Sequence, residues 1–446
     1  MQNTDNPLRW LPSLYFFKGL PYVVLMVVST VLYKQMGLSN AEVAFYTSWF
    51  YLPWVLKPFW HPYVSRIATR RWWILLTEII IGASMGSIAF TLPSPFNLQA
   101  SLALFWVASF SCAFHNVSAD GLYLDEMGPR HNLIYFIRTT FYRLATFVAQ
   151  GILVMVAGNL QVMYRGSMGY SWSLVFYGLS LFLLLTWIWH GIFIPYTQPA
   201  FKQLSIPGIR QVLGEVSDTT KLFFRKPYAI YATIFMLLFK LPEGLLSKVS
   251  ILFLIDGAHR GGLGLSPQEY GLVAGTIGVA GLSLGGILGA KAIAHGGIKR
   301  WLWPMALSLT IPNATYLYLS YYLPDNIFIV GLCVFLEQVG YGFGFVAYIM
   351  FIKRFVMGYL HKAHLTLGKA FMALSIMLPA MFSGFLQQAV GYRTFFIIVL
   401  CSSVATIIAT ILAIITAQWK FSGDKHKSLQ VYTERTFHQR DLLVML

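Results

Sequence analysis

The chain has 446 residues, of which 57% are hydrophobic, 16% aromatic and only 11% charged. A soluble globular domain carries roughly 25% charged residues, so this composition excludes a water-soluble protein and predicts one that lies in a lipid bilayer. The formal net charge is +16. We attribute it to membrane topology and not to nucleic-acid binding, because of where the cations lie. The three cysteines fall in apolar runs and have neither a metal-site spacing nor a disulfide pattern.

Apolar runs long enough to cross a bilayer predict twelve transmembrane helices. A span needs about 20 residues, and the alternating segments of about ten residues that build a membrane β-barrel do not fit these runs. The predicted spans are 11–33, 41–63, 72–92, 98–122, 133–157, 172–195, 228–254, 270–292, 302–323, 327–352, 366–390 and 395–418. The predicted domains are a six-helix half at 1–196, a cytoplasmic linker at 197–226, a second six-helix half at 227–418 and a cytoplasmic tail at 419–446.

The loop cations predict the orientation. Twenty-one Lys and Arg residues fall on one side of the predicted spans, and four fall on the other, namely Lys34, Arg165, Arg260 and Arg393. Because cytoplasmic loops carry the excess of Lys and Arg, both termini are predicted to be cytoplasmic. The linker has two interpretations, a short amphipathic helix on the membrane surface or a partly disordered segment.

A repeated segment predicts the architecture. The sequence Gly-Leu-Ser-Asn-Ala-Glu at 37–42, before the second span, recurs as Gly-Leu-Ser-Pro-Gln-Glu at 264–269, before the eighth. Both copies lie on the same side of the membrane in the predicted topology, so the repeat is parallel. The predicted fold is therefore an all-α integral membrane protein with two parallel-related six-helix halves, as in major facilitator transporters.

Ionisable residues inside the spans are the candidate functional residues, because charge in hydrocarbon is costly. Lys240 and Glu243 are three residues apart and share a helix face. Embedded cations outnumber embedded acids by seven to four, which favours an anionic solute. The deepest residues are Lys18, His115, Lys240, Glu243 and Glu337, with Asp120 and Arg143 nearer the cytoplasmic side.

Other embedded residues have structural interpretations. Arg138, Lys369 and Lys57 lie toward helix ends, where long cationic side chains reach the interface. Glu78 lies about two turns into its span and is expected to make a structural hydrogen bond. Three glycines of the tenth span, Gly340, Gly342 and Gly344, cannot line one face and predict either a bend or close helix packing.

Several motifs resemble the AmpG-type muropeptide permease family of the major facilitator superfamily, across nearly the whole chain. The segments Gly19-Leu20-Pro21, Lys57-Pro58-Phe59-Trp60-His61-Pro62, His115-Asn116-Val117-Ser118-Ala119-Asp120 with Asp125, Tyr142-Arg143-Leu144, Phe239-Lys240-Leu241-Pro242-Glu243 and Phe335-Leu336-Glu337 are similar to the family's motifs. Two segments depart from the pattern. His115-Asn116 stands where the family has Q-D, and Ser65 stands where the loop after the second helix normally has an acid.

The resemblance implies alternating-access import of anionic cell-wall fragments, with a GlcNAc–anhydroMurNAc core, coupled to protons in a bacterial inner membrane. The residues predicted to bind substrate are Lys18, His115, Lys240 and Glu243. Those predicted to couple protons are Glu337, Glu243 and Asp120, and those predicted to gate the cytoplasmic side are Arg143, Asp125 and Arg66. No cofactor or metal is implied, and the partners are an anionic sugar or sugar-peptide, protons and lipid.

Two other function classes have less support in the sequence. An exporter or antiporter of another anionic solute, such as a siderophore or a drug, remains an alternative, because the sequence does not show the direction of transport. A membrane enzyme built around His115 is not expected, because the sequence is interpreted as having no second embedded histidine, no metal pair and no nucleophile elbow. The absence of a G-x-x-x-x-G-K-S/T loop argues against an ATP-driven pump.

Overall fold

The computed structural model describes residues 7–127, 132–196, 208–357 and 360–422, and no β-strand occurs among them. Ser205, Ser428 and the part of the predicted tail from 423 to 446 lie outside these residues, whereas 419–422 continue the last helix. The helices are α1 Pro7–Gln35, α2 Asn40–Ser48, α3 Lys57–Ile67, α4 Arg70–Thr91, α5 Asn97–Met127, α6 Asn132–Phe147, α7 Val154–Met163, α8 Met168–Phe193, α9 Ile209–Phe224, α10 Ala229–Leu238, α11 Leu241–Ile255, α12 Pro267–Tyr322, α13 Ile327–Val356 and α14 His361–Ser422.

Nine helical segments of the described residues are long and apolar enough to cross a membrane. Two of them, Pro267–Tyr322 and His361–Thr416, are 56 residues long. Each bends at one glycine with positive φ, Gly297 (69°) or Gly391 (76°), a conformation that glycine adopts without steric cost. Each therefore supplies two of the predicted spans.

The second predicted span is interrupted, and its prediction as one continuous helix is wrong. After α2 come a 3₁₀ turn at Trp49–Tyr51 and a short helix at Leu52–Val55, and α3 begins only at Lys57. Pro53 and Pro58 cause the interruption, because proline lacks the N–H that an uninterrupted helix needs. With this broken span, every predicted span has a helical counterpart among the described residues. The all-α membrane fold is confirmed, and the count of twelve spans stays a prediction.

The chain divides into two compact units. Unit 1 holds the described residues of Met1–Ser39, Tyr46–Gly214 and Leu265–Gly275. Unit 2 holds those of Asn40–Phe45, Glu215–Gly264 and Thr276–Leu446. Each unit thus takes a short segment, next to one copy of the repeat, from the opposite half of the sequence.

The repeated segment starts a helix in both halves. In the second copy, the Ser266 hydroxyl accepts a hydrogen bond from the Glu269 N–H, and the Glu269 carboxylate accepts one from the Ser266 N–H. This capping box satisfies two N–H groups that have no partner within the helix. In the first copy Glu42 follows Ser39 at the same spacing, and α2 begins at Asn40.

Unit 2 contains a glycine-packed helix pair, α12 and α13. A Cβ added at Gly285 of α12 would overlap the carbonyl oxygen of Val339, and one at Gly342 of α13 would overlap that of Leu282. Helix α13 runs unbroken past its glycines. The close-packing interpretation of these glycines is therefore confirmed, whereas the bend is not observed.

Candidate functional site

In unit 1, two cations share one carboxylate. Asp120 of α5 lies 2.5 Å from the Lys18 ammonium of α1 and 3.4 Å from the Arg138 guanidinium of α6. The Tyr15 hydroxyl donates a hydrogen bond to the same Asp120 oxygen at 3.2 Å. The Tyr15 ring also lies 4.8 Å from Arg138. Three helices thus bring together two cations, a carboxylate and an aromatic ring, and the side chains of all three charged residues retain some solvent exposure.

The sequence predicts that Arg138 only reaches the membrane interface, and this prediction is wrong. Its side chain is 20% exposed and ion-paired to Asp120, with its guanidinium also 4.9 Å from the Tyr123 ring. Because Asp120 lies on a different helix, no sequence spacing links it to Arg138.

None of the contacts described for the predicted gating residues involves this cluster. Asp125 is exposed at the end of α5, where its carboxylate lies 3.6 Å from Arg70 of α4. Arg66 is half-buried in the last turn of α3, and Arg143 is half-buried in α6. A pairing of Asp120 with Arg143 stays a prediction.

A second cluster in unit 1 is fully buried. The Glu78 Oε1 atom of α4 lies 3.1 Å from Nε2 of His115 on α5 and 2.7 Å from Nδ1 of His190 on α8. The side chains of Glu78, His115 and His190 are at most 1% exposed. The structural hydrogen bond expected of Glu78 is therefore confirmed, and His115 contacts a carboxylate in the core. The prediction that no second histidine is embedded is wrong, because His190 lies fully buried in α8. It was missed because it lies inside a strongly apolar run with no recognisable motif around it.

In unit 2, Lys240 lies where a helix breaks. Its backbone (φ −106°, ψ 17°) separates α10 from α11, and Pro242 occupies the first turn of α11, where a missing N–H costs nothing. The ammonium, 1% exposed, donates a hydrogen bond to the Tyr341 hydroxyl at 2.8 Å. It also lies 4.5 Å from the Phe345 ring centre and 5.9 Å from that of Tyr348. Among the described residues, no carboxylate forms an ion pair with Lys240.

The two embedded acids of unit 2 have neutral hydrogen-bond partners. Glu243, 8% exposed, accepts a hydrogen bond from the Asn313 amide at 3.2 Å, and Glu337, 3% exposed, accepts one from Gln338 at 2.9 Å. Lys240, Glu243 and Glu337 all lie in unit 2, and their roles stay predictions.

Sequence comparisons link the chain to known permeases. The BT1 family profile matches residues 18–133. The anhydromuropeptide permease of Escherichia coli is 24% identical over 430 residues, which cover 94% of this chain and 82% of that permease. A Rickettsia conorii protein called putative transporter AmpG 4 is 23% identical over 58% of this chain, and the match spans 63% of its length.

Solved structures show the same fold at low identity. The structure of a POT family transporter in complex with 5-aminolevulinic acid has a TM-score of 0.70 at 11% identity and covers 93% of this chain and 96% of its own. The inward-open xylose transporter XylE from E. coli has a TM-score of 0.64 at 11% identity, covering 95% and 98%. The chain has the fold of these transporters and resembles the AmpG-type permeases in sequence. These likenesses support an integral membrane transporter.

Proposed function

We propose that this transporter imports anionic cell-wall fragments, anhydro-muropeptides or GlcNAc–anhydroMurNAc, across a bacterial inner membrane by proton-coupled alternating access. The observation that carries the proposal is the environment of Lys240. A buried ammonium that faces aromatic rings and one hydroxyl has no acidic ion-pair partner among the described residues. Its charge is therefore available to a carboxylate that arrives with the solute.

The other buried charges support the same proposal. In unit 1, Lys18 and Arg138 both contact the carboxylate of Asp120, so two cations lie close together there. In unit 2, Glu243 and Glu337 lie in a low-exposure region where a carboxylate exchanges a proton when its surroundings change. The name of the E. coli relative, anhydromuropeptide permease, supports the choice of solute.

The experiment is uptake of labelled GlcNAc–anhydroMurNAc into proteoliposomes that hold the purified full chain. We expect accumulation against a concentration gradient only when the interior is alkaline, and its collapse when a protonophore is added. Matched uptake of neutral GlcNAc–GlcNAc tests the role of the carboxylate, because the two disaccharides are similar in size.

Three outcomes would contradict the proposal. Equal uptake of both disaccharides would remove the anion preference. Accumulation without a pH gradient would remove the proton coupling. Solute movement only outward from preloaded vesicles under the same gradient would instead indicate the exporter or antiporter.

A further inference from the structure

The Glu78 cluster is a group of titratable side chains that the proposed function does not use. It lies in unit 1, on α4, α5 and α8, whereas the acids proposed to carry the transported proton, Glu243 and Glu337, lie in unit 2. Its members contact one another and not the Asp120 cluster. Burying three titratable side chains together is costly unless their charges compensate, so the protonation of the cluster has to be accounted for.

The hydrogen bonds around Ser13 locate one proton. Its hydroxyl lies 3.0 Å from the Trp10 carbonyl oxygen, which can only accept, and 2.9 Å from Nε2 of His190. A hydroxyl has a single hydrogen, so while Ser13 donates it to Trp10, the imidazole donates to Ser13 from Nε2. On the other side of the ring, Nδ1 lies 2.7 Å from Glu78 Oε1. Two lone pairs cannot face each other at that distance, so a proton lies between Nδ1 and Oε1.

The same contacts allow the cluster to lose one proton. The Ser13 hydroxyl then turns from Trp10 and donates to Nε2 of His190, and the single remaining imidazole proton lies on Nδ1, which donates to Glu78 Oε1. In the loaded state, with the proton bound, the cluster is neutral overall. In the empty state, after the proton has left, the cluster carries the charge of one carboxylate. The Oε2 atom of Glu78 is buried without a hydrogen-bond partner among the described residues, so the empty cluster is poorly stabilised.

The charged surroundings of the cluster are few. The Phe17 ring packs 5.1 Å from the His115 ring and 6.2 Å from the His190 ring. The next residue, Lys18, is the charged group outside the cluster that acts on His115. Outside the cluster, no other titratable group acts on Glu78 among the described residues.

We propose that Glu78, His115 and His190 form a proton-binding site inside unit 1 that takes up and releases one proton, and that the Ser13 hydroxyl turns between Trp10 and Nε2 of His190 as it does so. This proton exchange needs no solute, because the hydrogen bond that compensates for the lost proton comes from the chain's own Ser13 hydroxyl and is accepted by His190. The site is therefore separate from the solute-linked acids of unit 2, and its existence does not depend on the proposed solute.

The test is infrared difference spectroscopy of the full chain in lipid nanodiscs as the pH is stepped between 4 and 9, without solute. We expect a reversible signal of coupled carboxyl and imidazole bands in the wild type. Glu78→Gln and His190→Gln should each abolish it. Two controls should keep it: His295→Gln, which changes an exposed histidine bonded to its own helix, and Glu337→Gln in unit 2. A wild type with no such signal, or a Glu78→Gln variant that retains it, would overturn the proposal.

Ser13→Ala keeps the proposal testable if the charge-removing variants fail to fold. This variant keeps all three titratable side chains but removes the acceptor of the His190 Nε2–H. A hydrogen bond to a charged donor is stronger than one to a neutral donor. Ser13→Ala therefore destabilises the loaded state more than the empty state. The midpoint of the infrared transition should therefore move to lower pH by about half a unit or more. An unchanged midpoint would contradict the proposed proton position.

Discussion

Lys240 is a fully buried charge held by weak partners. A cation over an aromatic face gains about 2 kcal/mol when desolvated, and the Tyr341 hydroxyl adds one neutral hydrogen bond. A carboxylate would hold the ammonium much more strongly. The arrangement keeps Lys240 in place but leaves it able to bind an anion, and this makes its substitution informative.

Lys240→Gln should raise the KM for GlcNAc–anhydroMurNAc by on the order of tenfold or more, because a hydrogen bond to a charged group contributes about 1.5–3 kcal/mol. The measurement is the concentration dependence of initial uptake in proteoliposomes. Tyr341→Phe is the matched control, because it removes the hydroxyl that accepts from Lys240 but keeps the ring, and it should change the KM only slightly. A normal uptake curve for Lys240→Gln would show that the cation does not bind solute.

Glu337→Gln should separate coupling from transport. The change removes the titrating group but nearly keeps the side-chain shape, and Gln338 can still donate its hydrogen bond. We expect gradient-driven accumulation to be lost while exchange between equal solute concentrations continues. Intact accumulation would move the coupling role to Glu243 or Asp120, and loss of exchange would point to a role in solute binding or folding.

The predicted site residues differ in how far the sequence could place them. The sequence predicted that Lys240 and Glu243 share one helix face, but Lys240 lies in the break before α11 and only Glu243 is helical. The partners Asn313 of Glu243 and His190 of Glu78 could not be predicted, because they come from helices 70 and 112 residues away. Tertiary packing decides such contacts, and one sequence without its relatives carries no signal for them.

At the level of elements, backbone-to-backbone packing dominates the α12–α13 pair. Gly340 faces the carbonyl of Ser308 on the second arm of α12, whereas Gly342 faces that of Leu282 on the first arm. Glycines spaced by two therefore serve two neighbours on opposite sides of α13. The sequence predicted that they could not share a face, but not which helices they contact.

Gly285→Ala should destabilise the protein by about 1–3 kcal/mol, the usual cost of overpacking. The added Cβ would meet the Val339 carbonyl and, at 2.9 Å, the Phe343 nitrogen, and backbone atoms cannot rotate away. The measurement is the thermal unfolding midpoint of the purified protein in detergent. Gly178→Ala, at an exposed glycine of α8 with no atom within 4 Å of an added Cβ, is the control and should not lower the midpoint. Equal midpoints for the two variants would contradict the close packing.

At the scale of the whole molecule, composition and run length were enough to predict the fold. Eleven of the twelve predicted spans match helical segments of the described residues, apart from differences at their ends. The span at 228–254 matches two helices separated at Lys240, and the others match a continuous helix or one arm of a bent helix. The second span was mispredicted as continuous because hydropathy does not register prolines. The division into units was also beyond the sequence, since Asn40–Phe45 and Leu265–Gly275 each pack in the unit opposite to their half.

Membrane orientation is the whole-molecule prediction that stays open. Single cysteines at Ser205 in the linker and Ser428 in the tail, both outside the described residues, should react with an impermeant thiol reagent only after cells are opened, because the cation-rich side is cytoplasmic. Cysteine at Ser167, between the described helices α7 and α8 on the cation-poor side, is the control and should react in intact cells. Labelling of Ser205 or Ser428 in intact cells would reverse the topology.

The single-glycine bend of α14 has a consequence for how the chain is made. With helical backbone on both sides of Gly391, the two arms have no polar loop that could wait at the membrane surface while the first arm enters lipid. We expect them to insert as one hairpin with Arg393 near its tip. A side chain at Gly391 would be strained by the φ of 76° and not by a clash, since nothing lies within 4 Å of an added Cβ.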